Sequence, residues 1–266
     1  MDFLHRKKVT KRSPLKKKPL RLPGQSVQEQ INSRVGKAME YVVLMALAIT
    51  VAITEWFRWF FKSPPQPIIP TFLAVLVCYY AIWKLILIWR GLKPLRQGRD
   101  GERFVGQCLE KLRERGYRVL HDIVGDKFNI DHLLIGPTGV YTVETKTISK
   151  PAKGPCEIIY DGEAVSMNGF PPDPDPIVQA KAQADWIKRE FLKDVISDDL
   201  HVRPVVLYPG WFVKPQPKGC DVWVLNPDAL PGFLQNEKAS LDKHDIQAVE
   251  GCMSVYVRHS EPNSDL

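Results

Sequence analysis

No Cys-x-x-Cys pair occurs in the 266 residues, and the five cysteines (Cys78, Cys108, Cys156, Cys220, Cys252) are odd in number and far apart. That pattern argues against a zinc ribbon and against a disulfide framework. Scattered single thiols fit a reducing compartment, each as a small buried apolar residue. A second shortage is positive charge in the body of the chain. The net charge is +7. Residues 1–40 alone hold 11 Lys/Arg against 3 Asp/Glu, and residues 41–90 hold 4 against 1, which leaves residues 91–266 at −4. The basic balance belongs to the N-terminal part, so it is no argument for a broad nucleic-acid-gripping face on the rest. Neither a basic nor an aromatic stripe runs through residues 91–266. Lys150, Lys153, Lys181 and Lys188 stand singly there, as solvated surface lysines do.

Charge is missing altogether from residues 41–54 (YVVLMALAITVAIT), and the run continues through EWFRWFF to Phe61. Its aromatic end suits a headgroup region, where Glu55 and Arg58 stay wet. SPPQP then breaks the helix with three prolines in five residues. Residues 68–89 form a second run with Lys84 as its only charge, long enough at ~1.5 Å per residue to cross a ~30 Å hydrocarbon layer. Pro70 falls in its first turn, where a missing donor costs little, and Lys84 can snorkel beside Trp83 and Trp89. A signal peptide has one short apolar region near its start and a cleavage site, whereas here the first run begins at residue 41 and a second follows. Core helices of a soluble domain usually show a polar stripe, which both runs lack. The expectation is a membrane hairpin of two helices, about 41–61 and 68–89, within residues 39–90. Basic residues flank both of its ends and Lys62 alone lies in the turn, so the positive-inside rule puts both termini in the cytoplasm, at the inner membrane. Residues 1–38 are expected to be a disordered basic arm, either simply solvated or drawn to anionic lipid.

The remainder reads as a mixed α/β domain. Residues 100–115 repeat apolar positions at helical spacing, with Asp100 as a cap and Gly116 as a stop. Strand-like runs follow at 117–124, 129–135 and 140–147, the last two joined by Gly136-Pro137-Thr138-Gly139. After a Pro/Gly-rich stretch, 177–192 is helical, and 202–207 and 222–225 are further strands. Residues 231–266 are expected to pack on the domain as a C-terminal extension. The loop PGWFVKPQPKG at 209–219 carries Trp211 and Phe212, open to packing or to contact with a base, a membrane or a partner.

Asp131 stands among apolar strand residues, and Glu144 and Lys146 lie two apart on the third strand, so they share a face. The Gly136–Gly139 turn can bring Asp131 beside Glu144. Two carboxylates there would suit a hard divalent cation such as Mg²⁺, and a neighbouring Lys would stabilise charge in a phosphoryl transition state. Each residue also has a plain reading as a solvated strand face, a turn or a surface side chain.

Their joint order resembles a known family. Gly101-Glu102 opening a helix, His121-Asp122-Ile123, Asn129-Ile130-Asp131-His132, Gly136-Pro137-Thr138-Gly139-Val140-Tyr141 and Val143-Glu144-Thr145-Lys146 look like the nuclease-related (NERD) domain of the PD-(D/E)xK nuclease superfamily. The resemblance implies a restriction-endonuclease-like α-β-β-β-α-β core, preceded here by the hairpin, in a domain spanning 98–230. It implies Glu102 as the helix acid, Asp131 and Glu144 as metal-binding carboxylates for Mg²⁺ or Mn²⁺, and Lys146 as the catalytic lysine. Gln179 matches a glutamine that some members carry on the second helix. The activity implied is metal-dependent phosphodiester hydrolysis, with DNA as the expected partner. The competing expectation is a catalytically silent fold that binds nucleic acid or protein at the membrane; a transporter of two helices would need oligomerisation to form a pathway.

Overall fold

A computed structural model gives the fold and describes residues 18–61, 67–125, 128–151, 156–172, 175–192 and 202–260. Two long helices come first, α1 (Gln25–Phe60) and α2 (Ile68–Glu110), packed against each other as a hairpin. Trp56 Nε1 donates to Thr71 Oγ1 at 2.9 Å near its tip. Most of the proline turn lies outside the described residues. Both helices are long and apolar enough to cross a membrane. Leu47, Ile53 and Phe57 on α1 and Phe72, Val75 and Tyr79 on α2 are each more than half exposed, a continuous apolar surface of the kind soluble monomers avoid.

Two boundaries differ from the sequence expectation. The arm expected over residues 1–38 is already helical from Gln25, because QSVQEQINSRVGKAME is rich in helix formers and packs against α2 with Ile31 buried; residues 1–17 lie outside the described residues. The separate helix expected at 100–115 is the end of α2, which runs unbroken to Glu110 and closes in a 3₁₀ turn (Lys111–Arg115) before Gly116 in the left-handed region (φ 87°). Asp100 does not cap it; its carboxylate takes Arg99 Nη2 at 2.6 Å. Pro94 sits inside this helix. At ~1.5 Å per residue α2 measures about 65 Å, twice a ~30 Å hydrocarbon core, so one rigid rod carries both the apolar run and Glu102.

The mixed sheet and flanking helices are those expected. Strands β1 (Arg118–Val124), β2 (Asn129–Gly136) and β3 (Gly139–Thr145) form an antiparallel meander. The chain then passes through two short strands, β4 (Glu157–Tyr160) and β5 (Val165–Met167), and helix α3 (Pro176–Ile187, continued by a π turn, Lys188–Leu192). It returns as β6 (Val202–Leu207), parallel to β3, with β8 (Trp223–Leu225) parallel beyond it; the order is β1-β2-β3-β6-β8. Asp175 caps α3, accepting from Ile177 N at 2.8 Å, with Pro176 pre-set in the first turn. Two cores result. Val105 and Leu109 of α2 pack on Val143, Val205 and Trp223. Ile187 of α3 packs with Leu133, Val249, Met253 and Val257 on the other face. The last three belong to α5 (Lys243–His259), which follows a short α4 (Leu230–Asn236) and starts with a capping box between Asp242 and Asp245.

A second sheet was not expected. β4 pairs with β5 and with β7 (Phe212–Val213), in strands of two to four residues, too short to show a period. Its core joins Ile158, Tyr160 and Val165 to Ile177, Val206 and Trp211. Trp211 is therefore packed, its Nε1 donating to the Ile148 carbonyl at 3.1 Å, while Phe212 is exposed. The five cysteines are free and half-buried, not fully buried as expected.

Candidate functional site

Leu120 and Ile123 pack in one core although they are three residues apart, which strict alternation along a strand forbids. The step is taken at Asp122, whose φ is 51°, a left-handed conformation that a short polar side chain tolerates. Across the ladder the same break separates Ile130 from Leu133, and Asp131 lies in it. The meander thus becomes irregular where its acidic residues stand. The β2–β3 register last pairs His132 with Val143, which sets Asp131 opposite Glu144 one step further on. Asp131 turns its side chain into the ladder: Oδ2 accepts from Thr145 N at 2.7 Å.

Glu102 arrives from α2. The approach depends on Gly101, since a Cβ there would come within 1.6 Å of Thr147 Oγ1 and 2.7 Å of Thr147 Cβ. Gly101→Ala gains roughly 1 kcal/mol of helix propensity, but the overlap with a β-branched side chain costs more, typically ~1–3 kcal/mol before backbone shifts. We expect net destabilisation in urea melts together with weaker Mn²⁺ binding; equal or greater stability would show that α2 does not need this contact.

Glu102, Asp131, Glu144, Lys146 and Gln179 all converge. Lys146 lies one residue beyond β3, but its N–H still donates to the Leu207 carbonyl at 2.9 Å, so it keeps to the face that Glu144 occupies. Lys146 Nζ is 2.8 Å from Glu144 Oε1 and donates to Gln179 Oε1 at 2.8 Å. Glu102 and Glu144 are buried and Asp131 is half-buried. Burial, reinforced by the charges of Asp122 and Glu144 and only partly offset by Lys146, pushes the Glu102 carboxyl up to about 8. Burial, then Glu144 and Glu102, pushes Asp131 well above the carboxylate range. Among the described residues, three acids thus stand beside one lysine, Lys146.

The sequence reading assigned no role to several neighbours. Gln183, one turn after Gln179, is almost fully buried; its Nε2 donates to Glu144 Oε2 at 2.6 Å and to the Asn129 carbonyl at 3.0 Å. Its i, i+4 spacing from Gln179 was the available signal. His121 and His132 meet through their Nδ1 atoms at 2.9 Å, and His121 Nε2 lies 3.0 Å from Glu110 Oε1. Burial lowers both histidine pKa values, His132 far below the usual range, which favours the neutral form of the pair. Asn129 Oδ1, Thr145 Oγ1, Thr147 Oγ1, Gln183 Oε1 and His132 Nε2 are buried polar atoms without a protein hydrogen bond. The carboxylates of Glu102, Asp131 and Glu144 are hard oxygen donors of the kind a hydrated divalent cation takes. A separate group, Asp242, His244 and Asp245, sits at the start of α5, where the capping box already accounts for its geometry.

A family model for the nuclease-related domain (NERD) matches residues 97–209, the segment that carries all five of these residues. An uncharacterized protein of Bacillus anthracis is 43% identical over 58 residues, 20% of this chain, and the match spans only 27% of that protein's length. No solved structure matches.

Proposed function

We propose, from the match of residues 97–209 to the nuclease-related domain, that the chain is a membrane-anchored, divalent-metal-dependent nuclease acting on nucleic acid, DNA first, at the cytoplasmic side of the inner membrane. The observation that carries the reading is a cluster of acids held beside a lysine: burial first, and then the neighbouring acids, push the Glu102 carboxyl up to about 8 and Asp131 well above the carboxylate range, while Lys146 Nζ lies 2.8 Å from Glu144 Oε1.

Asp131 and Glu144 would hold Mg²⁺ or Mn²⁺, with Glu102 as the further acid beside them. When bound, such an ion polarises a phosphoryl oxygen and makes water a better nucleophile. The rest falls to the chain's own groups. Lys146, held between Glu144 and Gln179, presents an ammonium where negative charge grows on the phosphorus oxygens. Gln183 fixes the Glu144 carboxylate from behind and so pins the end of β3 to α3. Thr145 N holds Asp131 in its rotamer. Two features support the membrane reading: the uncovered apolar surface of α1 and α2, and the basic Arg90, Lys93 and Arg96 that follow the second apolar run.

The test is cleavage by the full chain in detergent, free of contaminating nuclease, on linear, circular and single-stranded DNA and on RNA. Cleavage in Mg²⁺ or Mn²⁺ that EDTA abolishes is expected. A folded chain that cuts none of these and binds no Mn²⁺ would leave a silent binding module instead.

A further inference from the structure

Ahead of α1 the chain crosses the domain as a short strap. Leu20 packs against the core that α5 completes, and Arg258 Nε of α5 donates to the Lys18 carbonyl at 2.9 Å. Pro23 lies where a Cβ on Gly106 would stand (2.7 Å), four residues along α2 from Glu102 and on the same face. A Cβ on Gly24, whose φ is 67°, would stand 3.1 Å from Arg99 Cγ of α2. Between these contacts Arg21 is driven inward. Its guanidinium binds Asp122 through Nε, while Nη2 donates to Ser26 Oγ and Glu29 Oε2, both at 3.0 Å. The Ser26 amide, in the first turn of α1, donates to the same Asp122 oxygen at 3.1 Å. The Arg21 and Asp122 side chains are only 9% and 3% exposed.

A surface pair of this kind would be unremarkable. This one is buried, joins residues 101 apart, and holds the strained residue opposite Asp131 on the neighbouring strand. Asp122 is close enough to Glu102 for its charge to be felt there. Left unpaired it would be a fourth carboxylate beside the acidic cluster.

We infer that Arg21 is a positioning residue of the acidic site: it neutralises Asp122 and holds it away from the cation, so the segment leading into the first apolar helix completes the site. The inference rests on the nuclease reading for its activity readout, but not for its cation readout. It also bears on truncation. A fragment starting after the hairpin loses Arg21, Leu20 and the Ser26 amide, so it exposes Asp122 and lacks a piece of the core.

The full chain in detergent micelles tests this with Arg21→Ala, Arg21→Lys, Asp122→Asn and the double variant Arg21→Ala/Asp122→Asn, reading kcat, KM and Mn²⁺ binding by electron paramagnetic resonance. Arg21→Ala is expected to lower kcat about 10-fold or more with KM nearly unchanged, yet tighten Mn²⁺ binding about 3-fold, since an extra negative charge is freed. Arg21→Lys recovers most of that loss. The double variant, with no stray charge, recovers rate and returns Mn²⁺ affinity toward wild type, a coupling of opposite sign to lost packing. An Arg21→Ala chain like wild type, or a double variant no better than Arg21→Ala, overturns the inference. If the wild-type chain cleaves nothing, the nuclease reading fails and the Mn²⁺ series decides: the same tightening and return supports the inference, and a flat series, or no Mn²⁺ binding by wild type, overturns it.

Discussion

Asp131→Asn and Lys146→Ala are each expected to lower metal-dependent cleavage by about 10³-fold or more, roughly 4 kcal/mol of transition-state stabilisation. The two losses should differ in kind. Asp131→Asn removes one of the carboxylates proposed to hold the cation, so Mn²⁺ binding should weaken along with the rate. The substitution is nearly isosteric and the Thr145 N–H can still donate to the side-chain carbonyl at this position, so the fold should persist. Lys146→Ala removes the one ammonium at the site among the described residues and frees Glu144 Oε1 and Gln179 Oε1. Cation affinity should hold or rise while turnover collapses, because the missing charge is needed only as the phosphoryl group gains negative charge. Single-turnover cleavage beside Mn²⁺ titration separates the two cases. Substantial residual cleavage in both variants would place the reacting phosphate elsewhere.

The second large effect is on stability against pH without metal. Glu102 is raised from the ordinary carboxylate range to about 8, and Asp131 is raised in the same direction. Between about pH 5 and 8 the folded chain therefore keeps protons that the unfolded chain has released. Stability is full below the unfolded pKa values and falls as pH rises through the folded ones, by up to ~1.4 kcal/mol per pH unit for each proton. Divalent cation reverses the trend, since it binds the ionised acids and displaces those protons. The melting temperature of the metal-free chain should fall by several degrees from about pH 6 to about pH 8.5, and Mg²⁺ should raise it more at the higher pH. Unequal protonation is the source, so Glu102→Gln should flatten the metal-free curve. A metal-free chain that gains stability across this range would show that the acids are ionised and paired by another route.

Much of the architecture is legible in local pattern. The apolar runs at 41–61 and 68–89 exceed anything a small core absorbs, so long helices follow from composition. Period-2 alternation and Gly136-Pro137-Thr138-Gly139 determine the β2–β3 hairpin and, through its register, the meeting of Asp131 with Glu144. The two-residue spacing of Glu144 and Lys146 determines that they share a face. These features are local, reaching at most from one strand to the next.

What tertiary structure decided is nonlocal. No propensity separates one helix of 43 residues from two shorter ones across Arg90–Arg99 wording such as RGLKPLRQGR; packing against α1 and the sheet keeps α2 continuous, and only that makes Glu102 part of the same rod as the apolar run. The small second sheet exists because α3 and β6 offer it a core, its own strands being too short to persist alone. Gln183 shares a helix face with Gln179 in the sequence, but only the fold buries it against Glu144. Arg21 looks like one more charge in a basic leader. It becomes part of the site because burial of Asp122, 101 residues away, makes an unpaired carboxylate costly and gives that guanidinium a place no sequence window could contain.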